Sequence, residues 1–355
     1  MSARKKTLFV VGAGCSKNYD CSNNGIDGLV SPTNKDFFKM SKKVICQTEI
    51  DRTSQRLLKK LFKQICRQRG IQYDRDYGFL EDSAFSDLED IMTDVEVHSA
   101  IFESRLTVRN YQHPYNILVE LIAFTINRAL CGLPCSLHRN LAEIISKSDL
   151  VLDFNYDLLL DEALRAANKL DDFGYCIEFF RVKENKNWKK PEGKETLELF
   201  KLHGSLNWLR CIECSAIFLV REPNTPKKRF DPSSLAEIQC PRCRATKSLI
   251  RLLLPPIQTK EYNVEPYRFL WRHAAQSLKG VRRIAFLGYS FANTDFATRS
   301  LLRRISYHAS MDRLDVHFMN PNSKPEMRFK EYFPITKTPT RTRNLAEFLE
   351  FYPEW

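Results

Sequence analysis

The sequence predicts an α/β protein: an open parallel sheet with helices on both faces, a helical insertion and a small cysteine-rich module. Three observations predict it. Five short, mostly apolar, β-prone runs end in Gly, Asn, His or Ser, the residue types that turn a strand into a ligand-bearing loop. Residues 35–148 carry apolar side chains at helical spacing. Two Cys-x-x-Cys pairs, at 211–214 and 240–243, flank 25 residues containing several loop formers.

Taken in order, Thr7 to Val11 is the first strand, and Gly12-Ala13-Gly14-Cys15-Ser16 is its turn into a helix or a ligand loop. Tyr19 to Pro32 has loop composition, with Asn23, Asn24, Gly25, Asp27, Gly28 and Ser31. Leu57, Leu58, Leu61, Phe62 and Ile65 give one apolar face to a helix that Gly70 stops. Ser86-Asp87-Leu88-Glu89 fits a capping box, opening a helix whose Leu88, Ile91, Met92 and Val95 face inward. Asn116–Cys131 and His138–Ser146 are expected to be two more helices.

Leu150 to Phe154 is the second strand, with Asn155-Tyr156-Asp157 at its end and a helix through Leu158, Leu159, Ala163 and Leu164 beyond it. Leu197 to Leu202 is the third, ending at His203-Gly204. The cysteine module follows, with Pro223, Asn224, Pro226 and Asp231-Pro232-Ser233-Ser234 between its pairs. Arg283 to Leu287 is the fourth strand, ending at Gly288-Tyr289-Ser290, and Leu314 to Met319 the fifth, ending at Asn320. Between these two, Ala297–His308 reads as a helix that buries Leu301, Leu302 and Ile305 and leaves Arg299, Arg303 and Arg304 outside. There are no internal repeats and no low-complexity tract.

The 355 residues suffice for a full core, and 43% hydrophobic with 28% charged residues is the balance of a soluble globular protein. The basic start followed by the apolar run Leu8–Val11 is too short for a secretory signal, and no window approaches the ~20 apolar residues of a membrane span. With eleven scattered cysteines, this argues for a reducing compartment and a cytoplasmic location. Net charge is +12, and residues 221–355 hold 24 Lys and Arg against 13 Asp and Glu. Such an excess suits a solvated face, an acidic partner, an anionic ligand or nucleic acid, but no base-reading motif accompanies it.

Cys211, Cys214, Cys240 and Cys243 have the spacing of a structural zinc site, in which four thiolates fill a tetrahedral shell. Gly12 and Gly14 leave room for backbone to approach a phosphate, and the following helix would offer N–H donors; a Gly-x-Gly can equally be a tight turn. The full dinucleotide fingerprint fails at Lys17. His203 suits a general base at neutral pH or a loop cap, and Asn155 and Asp157 suit ligand contacts or helix caps.

The order of these motifs resembles the sirtuin series: G-A-G-x-S, then T-Q-N-I-D, H-G, a four-cysteine zinc ribbon, G-x-S and a late asparagine. It is similar in more detail to the sirtuin-like NAD hydrolases of bacterial antiphage defence, which read F-N-Y-D and G-Y-S at these points and carry helical insertions. The resemblance spans Gly12 to Asn320. It implies a Rossmann-like NAD-binding domain made of residues 1–34, 149–204 and 251–355, a helical insertion at 35–148 and a zinc module at 205–250. It further implies that Gly12, Ala13, Gly14 and Ser16 hold the pyrophosphate, and that Gly288, Ser290 and Asn320 hold the adenosine side. Asn155 would place the water and the nicotinamide-ribose hydroxyls, Asp157 would meet the carboxamide, and His203 would be the base.

The function implied is cleavage of NAD to nicotinamide and ADP-ribose, with zinc structural, NAD the substrate, and a homo-oligomer or a partner such as an ATPase restraining it. Gly28-Leu29-Val30-Ser31-Pro32 lacks the Asp-Phe-Arg that sirtuins carry after the glycine loop, and Asp153-Phe154 replaces Thr-Gln before the asparagine. These departures disfavour the alternative, protein-lysine deacylation. A third expectation is a non-catalytic sensor of NAD or ADP-ribose.

Overall fold

Six parallel strands form the main sheet of the computed structural model, in the order β11-β10-β9-β1-β2-β5. They are β1 (Lys6–Val11), β2 (Leu150–Asp153), β5 (Glu198–Lys201), β9 (Val281–Leu287), β10 (Asp315–Met319) and β11 (Thr340–Thr342). Numbered by their appearance within the sheet, they run 3-2-1-4-5-6, the doubly wound arrangement whose direction reverses between β1 and β9. The structure describes residues 5–19, 26, 28–102, 112–130, 134–220, 230–232, 234, 235, 237–254, 257, 265–292, 295–307, 314–333, 335 and 337–355, without the side chains of 102, 306, 307 and 354. The expectations for residues 1–4, Asn23, Asn24, Gly25, Asp27, Cys131, Pro223, Asn224, Pro226, Ser233 and His308 lie outside them.

The five strands read from apolar runs are all present. Their near-continuous burial, as in Leu8 to Val11 and Leu150 to Asp153, follows from helices flanking the sheet. Ser136–Ile144, Leu159–Ala166 and Leu345–Phe351 pack as one group of helices, and Tyr267–Ser277 against Phe296–Arg303 as another. The sixth strand, β11, was not foreseen: Thr340-Arg341-Thr342 is short and largely exposed at the sheet edge, so it carries no apolar signature.

A second core belongs to the helices Phe37–Cys46, Arg52–Gln68, Leu88–Phe102 and Pro114–Leu130. Its interior holds Leu58, Leu61, Phe62, Ile91, Met92 and Val95, matching the expected apolar faces, together with Phe38 and Leu121. Gly70 ends its helix at φ +68°. Two details differ. The helix at Leu88 is capped by Asp87, whose carboxylate accepts the Glu89 amide at 3.0 Å, one residue later than a cap at Ser86. The helix Ser136–Ile144 lies within the span read as insertion, yet Leu141, Ala142 and the following Ile145 join the core of the main sheet. Among the described residues no helix is long and apolar enough to cross a membrane.

Between β5 and β9 the chain forms a separate antiparallel sheet, β7-β6-β8, of β6 (Gly204–Cys211), β7 (Ile217–Leu219) and β8 (Leu249–Leu253). Arg251 joins it to the helical core, donating from Nε to Glu120 at 2.9 Å and from Nη1 to the Leu206 carbonyl at 3.0 Å. The pair β3 (Phe179–Arg181) and β4 (Lys186–Trp188) forms a small hairpin beside it. Arg299, expected outside, is buried: its guanidinium lies between the rings of Phe296 and Tyr332, 4.3 and 4.4 Å from their centroids.

Candidate active site and candidate metal centre

The last residues of the six strands lie in one row. Thr342, Met319, Leu287, Val11, Asp153 and Lys201 are successive Cα partners across the sheet. The ladder continues one step further, with Asn320 N donating to Thr342 O, Gly288 N to Met319 O, Gly12 N to Leu287 O, Phe154 N to Val11 O and Leu202 N to Asp153 O, all between 2.9 and 3.1 Å. Every motif read from the sequence as a strand end therefore lies along one edge. In such sheets ligands usually bind outside this end of the strands, near the reversal, which here falls between β1 and β9.

Ser16, Asn155 and Asp157 meet there. Ser16 Oγ donates to Asp157 Oδ2 at 2.6 Å and accepts from Asn155 Nδ2 at 3.1 Å. Asp157 also serves as a local cap, its Oδ1 accepting the Leu159 amide at 3.1 Å. Asp157 thus divides its oxygens between the capping contact and Ser16. Asn155 and Asp157 are each only 8% exposed.

His203 stands beside this group across aromatic rings. Its imidazole meets the Phe154 ring edge-on at 5.0 Å and lies 6.5 Å from the Tyr156 ring, while Phe154 packs on Tyr289 at 4.9 Å. The backbone around it is held tightly: Leu254 N donates to the His203 carbonyl at 2.8 Å, Trp271 Nε1 to the Leu202 carbonyl at 3.2 Å and the Tyr156 hydroxyl to the Leu254 carbonyl at 2.7 Å. Gly204 follows at φ +85°, where a Cβ would fall 2.0 Å from the Leu252 carbonyl oxygen. The histidine is therefore fixed by its strand and loop.

The glycine loop departs from expectation in an informative way. A Cβ on Gly12 would lie 2.8 Å from Tyr289 Cα, and one on Gly14 2.8 Å from Gly288 Cα. The Gly12 and Gly14 amides donate to the Leu287 and Gly288 carbonyls at 2.9 and 3.0 Å. The close approach these glycines permit is thus made by the chain's own β9 loop, and these two donors are engaged. The helix after them is a single turn, Ala13–Ser16, too short for much of a dipole. Ala13 is half-buried on that turn.

Ser290 and Asn320 lie on the same edge beyond β9 and β10. Ser290 is exposed, and its carbonyl accepts from Arg328 at 3.4 Å. The Asn320 carboxamide oxygen accepts the Asn322 amide at 3.2 Å, a local turn contact. Among the described hydrogen bonds, neither residue joins the Ser16–Asn155–Asp157 group. Cys15 faces away from reactivity: its thiol is fully buried, 3.7 Å from His138 Nε2, and burial reinforced by Asp157 and Asp153 pushes its pKa well above the usual range.

Beneath the group lies a charged cluster that the sequence reading missed. Lys201 donates to Asp153 and Asp161, and the Tyr175 hydroxyl donates to Asp161 at 2.6 Å. Burial opposes the Lys201 ammonium, but Asp153 and Asp161 outweigh it and hold its pKa above the ordinary value. Burial likewise pushes the Asp153 carboxyl up to about 7, against the attraction of Lys201, with Asp161 and Asp157 crowding it further. The available signal was a charged residue inside each of two apolar runs, Leu-Val-Leu-Asp-Phe and Leu-Phe-Lys-Leu.

The four cysteines converge as their spacing implies. Cys211, Cys214, Cys240 and Cys243 bring their sulfurs within 4.8 Å of one another, with 3.7 Å between Cys211 and Cys243 and between Cys214 and Cys240. A tetrahedral ion with metal–sulfur bonds of about 2.3 Å has sulfur–sulfur edges of about 3.8 Å, so the set fits a metal ion. Two matching knuckles present the thiols. Cys211 N donates to Ala216 O and Ser215 N to Cys211 O; Cys240 N donates to Ala245 O and Arg244 N to Cys240 O. Ser215 and Arg244 take the same left-handed conformation, φ +58° and +64°. Cys-Ile-Glu-Cys-Ser-Ala and Cys-Pro-Arg-Cys-Arg-Ala thus form the same turn twice.

No known protein-family model matches the chain, and no curated protein is significantly similar to it.

Proposed function

We propose that the protein is an NAD glycohydrolase, releasing nicotinamide and ADP-ribose. The observation that carries this reading is the meeting of Ser16, Asn155 and Asp157 in direct hydrogen bonds beside His203, at the C-terminal ends of β1, β2 and β5 in a 3-2-1-4-5-6 sheet. That position favours a dinucleotide, and the sirtuin-like order of the motifs favours NAD.

The chemistry suits a site with few ionisable groups. Cleavage breaks the bond between the ribose C1′ and the nicotinamide nitrogen, whose electron pair leaves with the ring. The leaving group is already cationic, so no general acid has to protonate it, in contrast to O-glycoside hydrolysis. A water adds to C1′ and gives its proton to His203. Asn155 orients that water and the ribose hydroxyls, Asp157 orients the carboxamide, and the aromatic wall of Phe154, Tyr156 and Tyr289 limits bulk water. The four-cysteine cluster holds zinc in a structural role, since four thiolates leave no position for water. Unrestrained NAD loss would be toxic, so we assign the protein to a regulated assembly, a homo-oligomer or one with a partner ATPase, in the manner of an antiphage effector.

Incubation with NAD, with and without an acetylated peptide, tests the reading. Nicotinamide release independent of the peptide supports it; release only with the peptide would make the protein a deacylase. Binding of NAD or ADP-ribose without any release would make it a sensor.

A further inference from the structure

Lys201 is the last residue of β5, and its side chain is wholly buried. An ammonium carries three N–H groups. Three oxygens receive them: Asp153 Oδ2 at 3.1 Å, Asp161 Oδ2 at 3.0 Å and the backbone carbonyl of Asp157 at 2.5 Å. All three acceptors belong to the unit formed by β2, the turn after it and the helix Leu159–Ala166, the unit that carries Asn155 and Asp157.

Two of these contacts bear directly on Asn155 and Asp157. The Asp153 carboxylate that takes Lys201 on Oδ2 accepts the Asn155 amide on Oδ1 at 2.9 Å. The Asp157 carbonyl belongs to the residue whose carboxylate holds Ser16. Asp161 is itself anchored, because the Tyr175 hydroxyl occupies its other oxygen at 2.6 Å. Stability is a poor explanation for such a cluster, since buried ionic groups can commonly be replaced by well-packed apolar ones at no loss. A three-legged donor does what an apolar side chain cannot, which is to fix the turn in direction as well as in depth.

We infer that Lys201 is a positioning residue: through Asp153, Asp161 and the Asp157 carbonyl it sets the turn that aims Asn155 and Asp157 at Ser16. Its effect on turnover rests on the NAD-cleavage reading above; its effect on geometry does not.

Two variants test it. K201R keeps the charge but replaces a tripod with a planar fork, and K201M combined with D153N removes one buried charge of each sign. The steady-state kinetics of nicotinamide release and a crystal structure are obtained for each variant that matches the parent in zinc content and circular dichroism. The expected result is a kcat lowered by roughly 10- to 100-fold, the scale of a small misplacement of reacting groups, with KM within about threefold. In K201R the Asn155–Ser16 hydrogen bond is expected to be broken. A folded K201R with parental kcat and that bond intact overturns the inference. If the parent itself releases no nicotinamide, the functional reading falls, and the K201R structure alone decides: a displaced Asn155 supports the positioning role and an unmoved one refutes it.

Discussion

Gly288 stands against Cys15 so closely that a Cβ on Gly288 would lie 2.1 Å from the Cys15 amide nitrogen, and Gly288 itself adopts φ +66°. Both conditions exclude a side chain. Gly288→Ala should destabilise the protein by about 3 kcal/mol, combining the left-handed backbone with an overlap against main chain. Urea denaturation checks this; a variant as stable as the parent would mean that the two strand ends are free to move apart.

Asn155→Ala and His203→Ala should each reduce NAD cleavage by ~10²- to 10⁴-fold, the usual cost of losing a positioned acid–base or water-orienting group. Asp157→Ala should cost less turnover but some stability, about 1 kcal/mol, because its Oδ1 caps the Leu159 amide. Nicotinamide release and thermal melting, measured on the same preparations, separate the two effects. Parental rates in both alanine variants would remove this group of residues from consideration as an active site.

Protein purified without chelator should carry one zinc per chain, and Cys240→Ser with Cys243→Ser should abolish it and lower the melting temperature. One knuckle supplies half of the sulfurs, so the pair is lost together. Atomic absorption on the parent and the double variant reads the outcome directly.

His317 gives a pH signature. It is fully buried on β10, with Nδ1 2.8 Å from the Thr340 hydroxyl and Nε2 2.9 Å from that of Thr342, and burial lowers its pKa from 6.5 to about 4. Between those values the unfolded chain takes up a proton that the fold refuses. The contribution of neutral His317 is therefore complete above pH 6.5 and is lost as pH falls to about 4, about 3 kcal/mol in all. Denaturation of the parent and of His317→Gln at several pH values should show the parent's advantage shrinking on acidification. An advantage independent of pH would mean that His317 titrates normally in the fold.

The sheet was legible because parallel strands buried on both faces appear as apolar runs, and the four-cysteine cluster because its spacing is local. Register was not legible. Asp153 and Lys201 are Cα partners across β2 and β5, but they stand 48 positions apart in sequence, and nothing in either run names the other. The same limit explains the glycine loop. A Gly-x-Gly announces a close approach without saying what approaches, and here it is the backbone at Gly288 and Tyr289. Arg299 was misplaced because helical spacing cannot foresee two rings, Phe296 and Tyr332, closing over a guanidinium.

The place of β1 in the middle of the sheet bears on how the chain is made. Leu8 pairs with Leu150 on one side and Ile284 on the other. At roughly 5–20 residues per second of synthesis, β1 emerges roughly 7–30 s before its first partner and roughly 14–55 s before its second. Most of the helical core precedes residue 136 and emerges roughly 1–4 s before the first partner, while Leu159, Phe230 and Ile257 join it later. A nascent chain therefore carries most of a helical unit on a tether while an apolar strand waits with both hydrogen-bonding edges bare, an arrangement that invites pairing with a neighbouring chain. Ribosome-bound fragments ending before residue 150 should need a chaperone to stay apart.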